Sequence, residues 1–507
     1  MVCYYGSWAV YRPGKGMFDV EDIDANLCTH LIFGFAGLGS NNKIKVLDPW
    51  NELCDEYGLC AFDRFTALKK KNTKLVTILA VGGWNEGSTK YSNMAADPAK
   101  RKTFVDSSIK LLKDHDFDGL DMDWEYPTQR GGKPADKENF ILLLSDLKEA
   151  LHANGMMLTA AVSAGKGTID AAYDIPGMAQ HLDMVNLMTY DFHGDWDPYT
   201  HHQSGLYAHP DDTGDNAYFN QDFAVRYWIE KGMPANKISQ GVPLYGRCWT
   251  LDGKDDTGYY APAHQPSVAG PYTEEPGDWG YNEICEGISK GGWTVVHDPA
   301  MHEPYAYNLN HNKIWCSYDD EDSVKLKAEY AKEHGLAGMM VWSIDTDDFV
   351  GLCGRKFNLI KTMVETFTGE QITPGPTLPP TTRDPDATTT KAVTKPPTPS
   401  PTEVCSKPGN NADHDNCHHY WLCYQNVDGG YDATMEPCPE GTLFNPQANI
   451  CDWDHVVCAM PGDPTNEFLF ETFTPLILQD YAGESCEEEL RTVRGRTERE
   501  YPNKRRA

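Results

Sequence analysis

The sequence has no basic excess, no long apolar run, no Asn-x-Ser/Thr sequon, and no Cys-x-x-Cys or His-Glu-x-x-His spacing. Each absence removes a class of function. Lys and Arg number 44 against 75 Asp and Glu, a formal charge of −31, whereas a nucleic-acid partner needs cations against its phosphates. No stretch approaches the roughly 20 apolar residues of a bilayer-spanning helix, so neither nucleic acid nor membrane is expected as a partner. His201-His202 and His418-His419 are adjacent pairs that cannot share one face of a helix or strand, and no metal site is expected. No nucleophile-elbow serine or phosphate-cradling glycine loop is present, so no cofactor is expected either. Without sequons, N-glycosylation is not available.

What is present is globular and rich in flat side chains. The chain has 507 residues, 40% hydrophobic, with 13 Trp and 26 Tyr, which leaves room for one large domain plus extras. Fifteen cysteines fall into groups: eight up to Cys353, six within 405–458, and Cys486 left over. Dispersed even sets predict disulfides and an oxidising compartment. No secretory leader precedes Met1-Val2-Cys3, so the expectation is a secreted, extracellular protein whose leader is missing from this sequence.

Near-continuous apolar runs at 2–11, 29–38 and 74–84 read as strands covered on both faces. Further strands are expected at 117–125, 157–164, 184–191, 238–247 and 336–344. Helical patterns lie between them. Asp97-Pro98 opens one with Phe104, Ser108, Leu111 and Leu112 inward, and Phe140, Leu143, Leu144, Leu147 and Leu151 line another. A helix at about 322–334 precedes the last strand, and another follows Cys353 with Phe357, Ile360, Met363, Val364 and Phe367 inward. Eight strands alternating with helices predict an α/β fold, a closed (β/α)8 TIM barrel spanning 1–370. Residues 249–313 break the rhythm and read as an α+β insertion between strands seven and eight, one wall of a cleft. The stretch 371–404 is a Pro/Thr-rich linker that cannot bury a core. Residues 405–458 form a small disulfide-rich β module, and 459–507 a tail without assignable structure or function.

The most informative stretch is Phe117-Asp118-Gly119-Leu120-Asp121-Met122-Asp123-Trp124-Glu125-Tyr126-Pro127. On a strand, Asp121, Asp123 and Glu125 share one face while Leu120, Met122 and Trp124 face the other. A solvated polar face is the bland alternative, but exposed strands seldom alternate Asp with Leu, Met and Trp. Three like charges in a row stabilise no fold. Close carboxylates push one another's pKa values apart, which points to acid–base chemistry.

The DxxDxDxE pattern of Asp118, Asp121, Asp123 and Glu125 resembles the signature of family 18 glycoside hydrolases, the chitinases. Also similar are the Val-Cys-Tyr-Tyr-Gly-Ser-Trp start, the Gly82-Gly83 ending of strand three, Met188-Thr189-Tyr190-Asp191, Tyr245-Gly246-Arg247 and Trp342. The resemblance implies hydrolysis of β-1,4-linked N-acetylglucosamine with retention, in which the substrate's N-acetyl group acts as nucleophile. Glu125 would be the acid/base, Asp123 would orient the acetamide, and Asp121 would share a proton with Asp123. Asp118 falls out of the alternation and takes a structural role. Tyr190 and Asp191 would hold the acetamide oxygen and the distorted sugar. Trp8, Phe35, Gly83, Trp84, Met188, Tyr245, Arg247 and Trp342 would bind substrate, with Trp342 as the floor. Arg247 could equally be a strand-end salt-bridge former, and a Trp without context is more often core than platform.

The six cysteines from Cys405 to Cys458, with gaps of 11, 5, 14, 12 and 6 residues, resemble a peritrophin-A type chitin-binding module. Its aromatics would be Tyr420, Trp421, Tyr424, Phe444 and Trp453. The family's pairing would be Cys405 with Cys423, Cys417 with Cys458 and Cys438 with Cys451, one of 15 connectivities open to six cysteines. In the barrel, Cys3 with Cys28 and Cys285 with Cys353 are the similar bridges. Cys54, Cys60, Cys248 and Cys316 remain, with Cys54–Cys60 and Cys248–Cys316 a guess and Cys486 unassigned. The implied partners are chitin and chito-oligosaccharides, bound by a monomer. Alternatives are a chitin-binding lectin on the same barrel, whose family members lack the acid, and an endo-β-N-acetylglucosaminidase acting on N-glycans. A structural chitin cross-linker has no use for the carboxylate row.

Overall fold

The computed structural model describes residues 1–55 and 58–370 in full, and beyond them the backbone of five short strands. The pairings expected of Cys405, Cys417, Cys423, Cys438, Cys451 and Cys458 lie outside the described residues. So do the side chains of Tyr420, Trp421, Tyr424 and Phe444, all of Trp453, the linker and the tail.

Eight parallel strands close into a barrel: Val2–Gly6, His30–Leu38, Val76–Gly82, Gly119–Asp123, Met157–Ser163, Met184–Met188, Ile238–Pro243 and Gly338–Trp342. Each pairs with the next, and the eighth pairs with the first, Val2 opposite Met340 and Cys3 opposite Val341. Alternation assigns the side chains to two layers. Tyr4, Ile32, Ile78, Ala80 and Met340 fill the interior, while Tyr5, Phe33, Leu79, Leu120 and Met122 face the surrounding helices. Both faces are buried, which is why the strands read as unbroken apolar runs.

The four helices expected from the sequence are all present. Asp97 caps Pro98–Asp114 by accepting from the Ala99 and Lys100 amides, with Pro98 at the first turn. Leu111 is only half-buried, and Val105 and Arg101 complete that inward stripe. Asp136–His152 buries Phe140, Leu143, Leu144, Leu147 and Leu151 as expected. Glu321–Glu333 and Asn358–Thr368 flank the eighth strand.

Two expected strands are corrected. The first strand ends at Gly6, not at 11, and Ser7–Tyr11 is a 3-10 helix. At the barrel rim the Gly6 amide donates to Asp345 Oδ1 at 2.9 Å instead of to a strand, so no ladder carries the extended chain further. The stretch 238–247 is two strands: Pro243 has no amide to donate, and Leu244 makes the last bond to the eighth strand, its amide on the Trp342 carbonyl at 2.8 Å, while its own carbonyl accepts from the Tyr281 amide of the insertion at 2.9 Å. Tyr245–Thr250 belongs to a second, antiparallel sheet with Ile314–Ser317, Pro304–Asn308 and Thr294–His297, and Asp278–Gly280 on its other edge. That sheet and helix Tyr281–Ser289 make up the insertion, with a core of Trp249, Leu251, Tyr305 and Trp315.

Disulfides join Cys3–Cys28, Cys54–Cys60, Cys248–Cys316 and Cys285–Cys353. The third bridges facing residues on two paired strands of the insertion. Residues 377–507 form a second unit, in which Gly409–Ala412, His419–Gln425 and Tyr431–Pro437 make an antiparallel sheet and Leu443–Asn445 pairs with Ile450–Asp452. Among the described residues no helix is long and apolar enough to cross a membrane.

Candidate active site

The fourth strand positions the carboxylate row. Asp121 sits opposite Ala80 and Thr159, inside the barrel and fully buried. Three donors from three other strands hold it: Tyr4 Oη at 2.7 Å, Thr159 Oγ1 at 2.5 Å and Asn186 Nδ2 at 3.2 Å. Burial raises its carboxyl to about 6, against the pull of those donors. Asp123 ends the strand, buried, and its Oδ1 finds no hydrogen-bond partner among the described residues. Burial, then the charges of Glu125 and Asp121, push it well above the ordinary carboxylate range. Glu125 stands two residues past the strand, half-buried, and is raised to about 7 by desolvation and by the Asp191 charge, against Tyr126 and Arg130.

The row is therefore graded. The deepest carboxyl is satisfied, the middle one is buried with an open acceptor, and the outermost faces the rim with a proton to give near neutrality. Asp118 stands apart at the start of the strand, where it accepts from the Thr77 amide and hydroxyl and from Lys69 Nζ. Trp124 turns outward into the core and donates to Ser88 Oγ.

Most of the other expected site residues converge on the same rim. Phe35, Met188, Tyr190, Tyr245 and Trp342 pack with Tyr4 and Met340 in one apolar cluster above the acids. Trp342 ends the eighth strand, its ring stacked on Phe35 at 5.5 Å and 6.0 Å from Trp8. Gly83, with φ of +88°, lies against the Phe35 ring, where a Cβ would come within 3.0 Å. Trp8 and Trp84 are 42% and 58% exposed, which excludes the core reading for both. The Arg130 guanidinium lies 3.5 Å over the Trp84 ring and donates to the carbonyls of Trp84 and Glu125.

Asp191 follows the sixth strand with a left-handed φ of +56°. Its Oδ1 accepts from Tyr245 Oη at 2.8 Å and Arg247 Nε at 2.7 Å. Arg247 is not on the seventh strand, as expected from sequence, but on the insertion sheet, and it also pairs with Asp278 at 3.2 Å. It is thus a salt-bridge former and part of the rim at once. Sequence reasoning did not single out Tyr4, Thr159, Asn186, Arg130, Asp278 or Trp196. Trp196 is 56% exposed, with Arg247 5.3 Å over its ring, and its signal was its place five residues after Asp191.

Residues 1–347 match the glycosyl hydrolases family 18, and residues 405–458 the chitin binding peritrophin-A domain. The Probable chitinase 2 of Drosophila melanogaster is 42% identical over 369 residues, 70% of this chain and 73% of that protein. Among solved structures, the Ostrinia furnacalis Group IV chitinase in complex with allosamidin matches with a TM-score of 0.70 at 42% identity, over 73% of this chain and 99% of its own. Human YKL-39, a pseudo-chitinase with retained chitooligosaccharide binding properties, matches with a TM-score of 0.67 at 36% identity, over 73% of this chain and 99% of its own. With the family match running through the whole barrel and its carboxylate row, the chain belongs to family 18 of the glycosyl hydrolases.

Proposed function

We propose that the protein is a secreted chitinase that hydrolyses β-1,4-N-acetylglucosamine linkages with retention, assisted by the substrate's own acetamide. The observation that carries this reading is the graded row, in which a half-buried Glu125 near pKa 7 neighbours a buried Asp123 with an unpartnered oxygen. Glu125 gives its proton to the glycosidic oxygen as the bond to C1 breaks, and the acetamide carbonyl oxygen closes on C1. Asp123 accepts the acetamide N–H, which turns that carbonyl toward C1 and offsets the positive charge of the oxazolinium ion. Water then attacks C1 from the vacated side, gives its proton to the Glu125 carboxylate, and reopens the ring with net retention. Asp121 shares a proton with Asp123. Tyr190 and Asp191 hold the acetamide oxygen and the sugar over Trp342, and the exposed Trp8 and Trp84 supply faces for neighbouring sugars.

Glu125→Gln is expected to lower hydrolysis of chito-oligomers by about 100- to 10,000-fold while chitin binding persists. Turnover near the wild-type rate would sink the mechanism. The likeness to human YKL-39 supports a second reading, a chitin-binding lectin. Release of short products from a long chito-oligomer, with the β-anomer appearing first, separates the enzyme from the lectin.

A further inference from the structure

We infer that Gln203 is a positioning residue that holds Asp191 and Tyr245 in register; this rests on the roles proposed for that pair. Gln203 is fully buried on the segment after the sixth strand and touches no solvent. Its carbonyl accepts from the Phe192 amide at 2.9 Å, directly after Asp191. Its side-chain Nε2 donates to the Tyr245 carbonyl at 2.7 Å, and Tyr245 Oη returns to Asp191. The links form a closed loop from Asp191 through Phe192, Gln203 and Tyr245 back to Asp191. The third tie is the Gln203 amide on Ser317 Oγ at 2.8 Å, which brings in the insertion sheet.

Two observations set this apart from ordinary packing. Asp191 has a left-handed backbone, a conformation of higher energy for a non-glycine residue, which the surrounding bonds hold in place. Among the described residues the Gln203 Oε1 has no partner, so the buried amide is used at its donor end alone. Burying a half-satisfied amide disfavours folding relative to an apolar side chain of equal size. The single contact that offsets this cost is the Tyr245 carbonyl, at the point where the chain leaves the barrel for the insertion. Behind Gln203 the frame is rigid: Ser317 Oγ and the Ser204 amide both donate to Glu303, and Lys327 donates to Ser204 Oγ and Asp319.

The test is a double-mutant cycle of Gln203→Met and Tyr245→Phe, with kcat and KM measured on a soluble chito-oligomer and folding followed by thermal melting. Gln203→Met is expected to lower kcat about 10- to 100-fold with KM changed less than about threefold, because the reacting groups shift while the aromatic platforms stay. Most of that loss should vanish when Tyr245 is already Phe. An unchanged kcat in folded Gln203→Met, or a fully multiplicative loss in the double variant, overturns the inference. Gln203→Glu covers the case in which the Met variant does not fold, because the introduced carboxyl, when neutral, can donate to the same Tyr245 carbonyl. Its kcat relative to wild type should then approach one at acid pH, and a ratio depressed at every pH overturns the inference. Tyr245→Phe at the wild-type kcat would overturn the roles of Tyr245 and Asp191 themselves, which separates the two failures.

Discussion

Glu125 acts as an acid only while it carries its proton, and its carboxyl is raised to about 7 chiefly by desolvation. Hydrolytic kcat/KM should therefore hold below neutrality and fall as pH rises through about 7. A profile flat far into the alkaline range would contradict the assignment. The Asp191 charge is one of the causes of the shift, so Asp191→Asn should move the alkaline limb toward acid in a variant whose overall rate is also reduced. The acids themselves were legible in sequence because three carboxylates two residues apart can be read from one strand. Their environment was not. Asp121 takes its donors from Tyr4, Thr159 and Asn186, which lie 117, 38 and 65 residues away in the chain. Only closure of the barrel brings them together.

At the scale of elements, the barrel was legible because each strand is buried on both faces and the longer helices carry buried apolar stripes, Pro98–Asp114 with the Asp97 cap as well. Breaks in the ladder were less so. Gly82, closing the third strand with φ of +125°, is a case where a backbone contact decides: a Cβ there would lie 2.0 Å from the Asp123 carbonyl oxygen. Gly82→Ala should cost about 3 kcal/mol or more and displace Asp123, read as a lower melting temperature together with lost activity. In sequence, Tyr245–Thr250 runs on from the seventh barrel strand, because Pro243 and Leu244 keep the pattern apolar across the break in the ladder. The 3-10 helix Ser7–Tyr11, which carries Trp8, is braced by Glu52, whose carboxyl accepts from Ser7 Oγ and the Asp48 amide. Burial raises Glu52 to about 8. A carboxyl with a raised folded-state pKa contributes stability that is present below its unfolded value, near 4.5, and lost as pH rises through about 8. The melting temperature should thus fall as pH passes from mildly acid to above 8, and Glu52→Gln should flatten that fall by about 2 °C or more. An identical pH slope in wild type and variant would refute the coupling.

At the scale of the molecule, a catalytic barrel matching residues 1–347 and a chitin-binding module matching 405–458 are joined by the Pro/Thr-rich stretch 371–404. The covalent length of that stretch limits the span between them to roughly 120 Å. Confined to such a radius, a barrel whose module is attached to an insoluble surface faces that surface at an effective concentration on the order of a few tenths of a millimolar. A soluble oligomer receives no such advantage, because it meets the cleft by free diffusion. Deleting 371–507 should consequently leave kcat/KM on soluble chito-oligomers within about twofold of the full chain, while hydrolysis of particulate chitin at low enzyme concentration falls about tenfold or more. The deficit should shrink as enzyme concentration rises, since free enzyme then supplies by number what the tether supplied by proximity. Deleting only 459–507 serves as the control that keeps the module in place. Equal losses on both substrates would mean instead that the C-terminal part supports the barrel, and the tethering argument would fail.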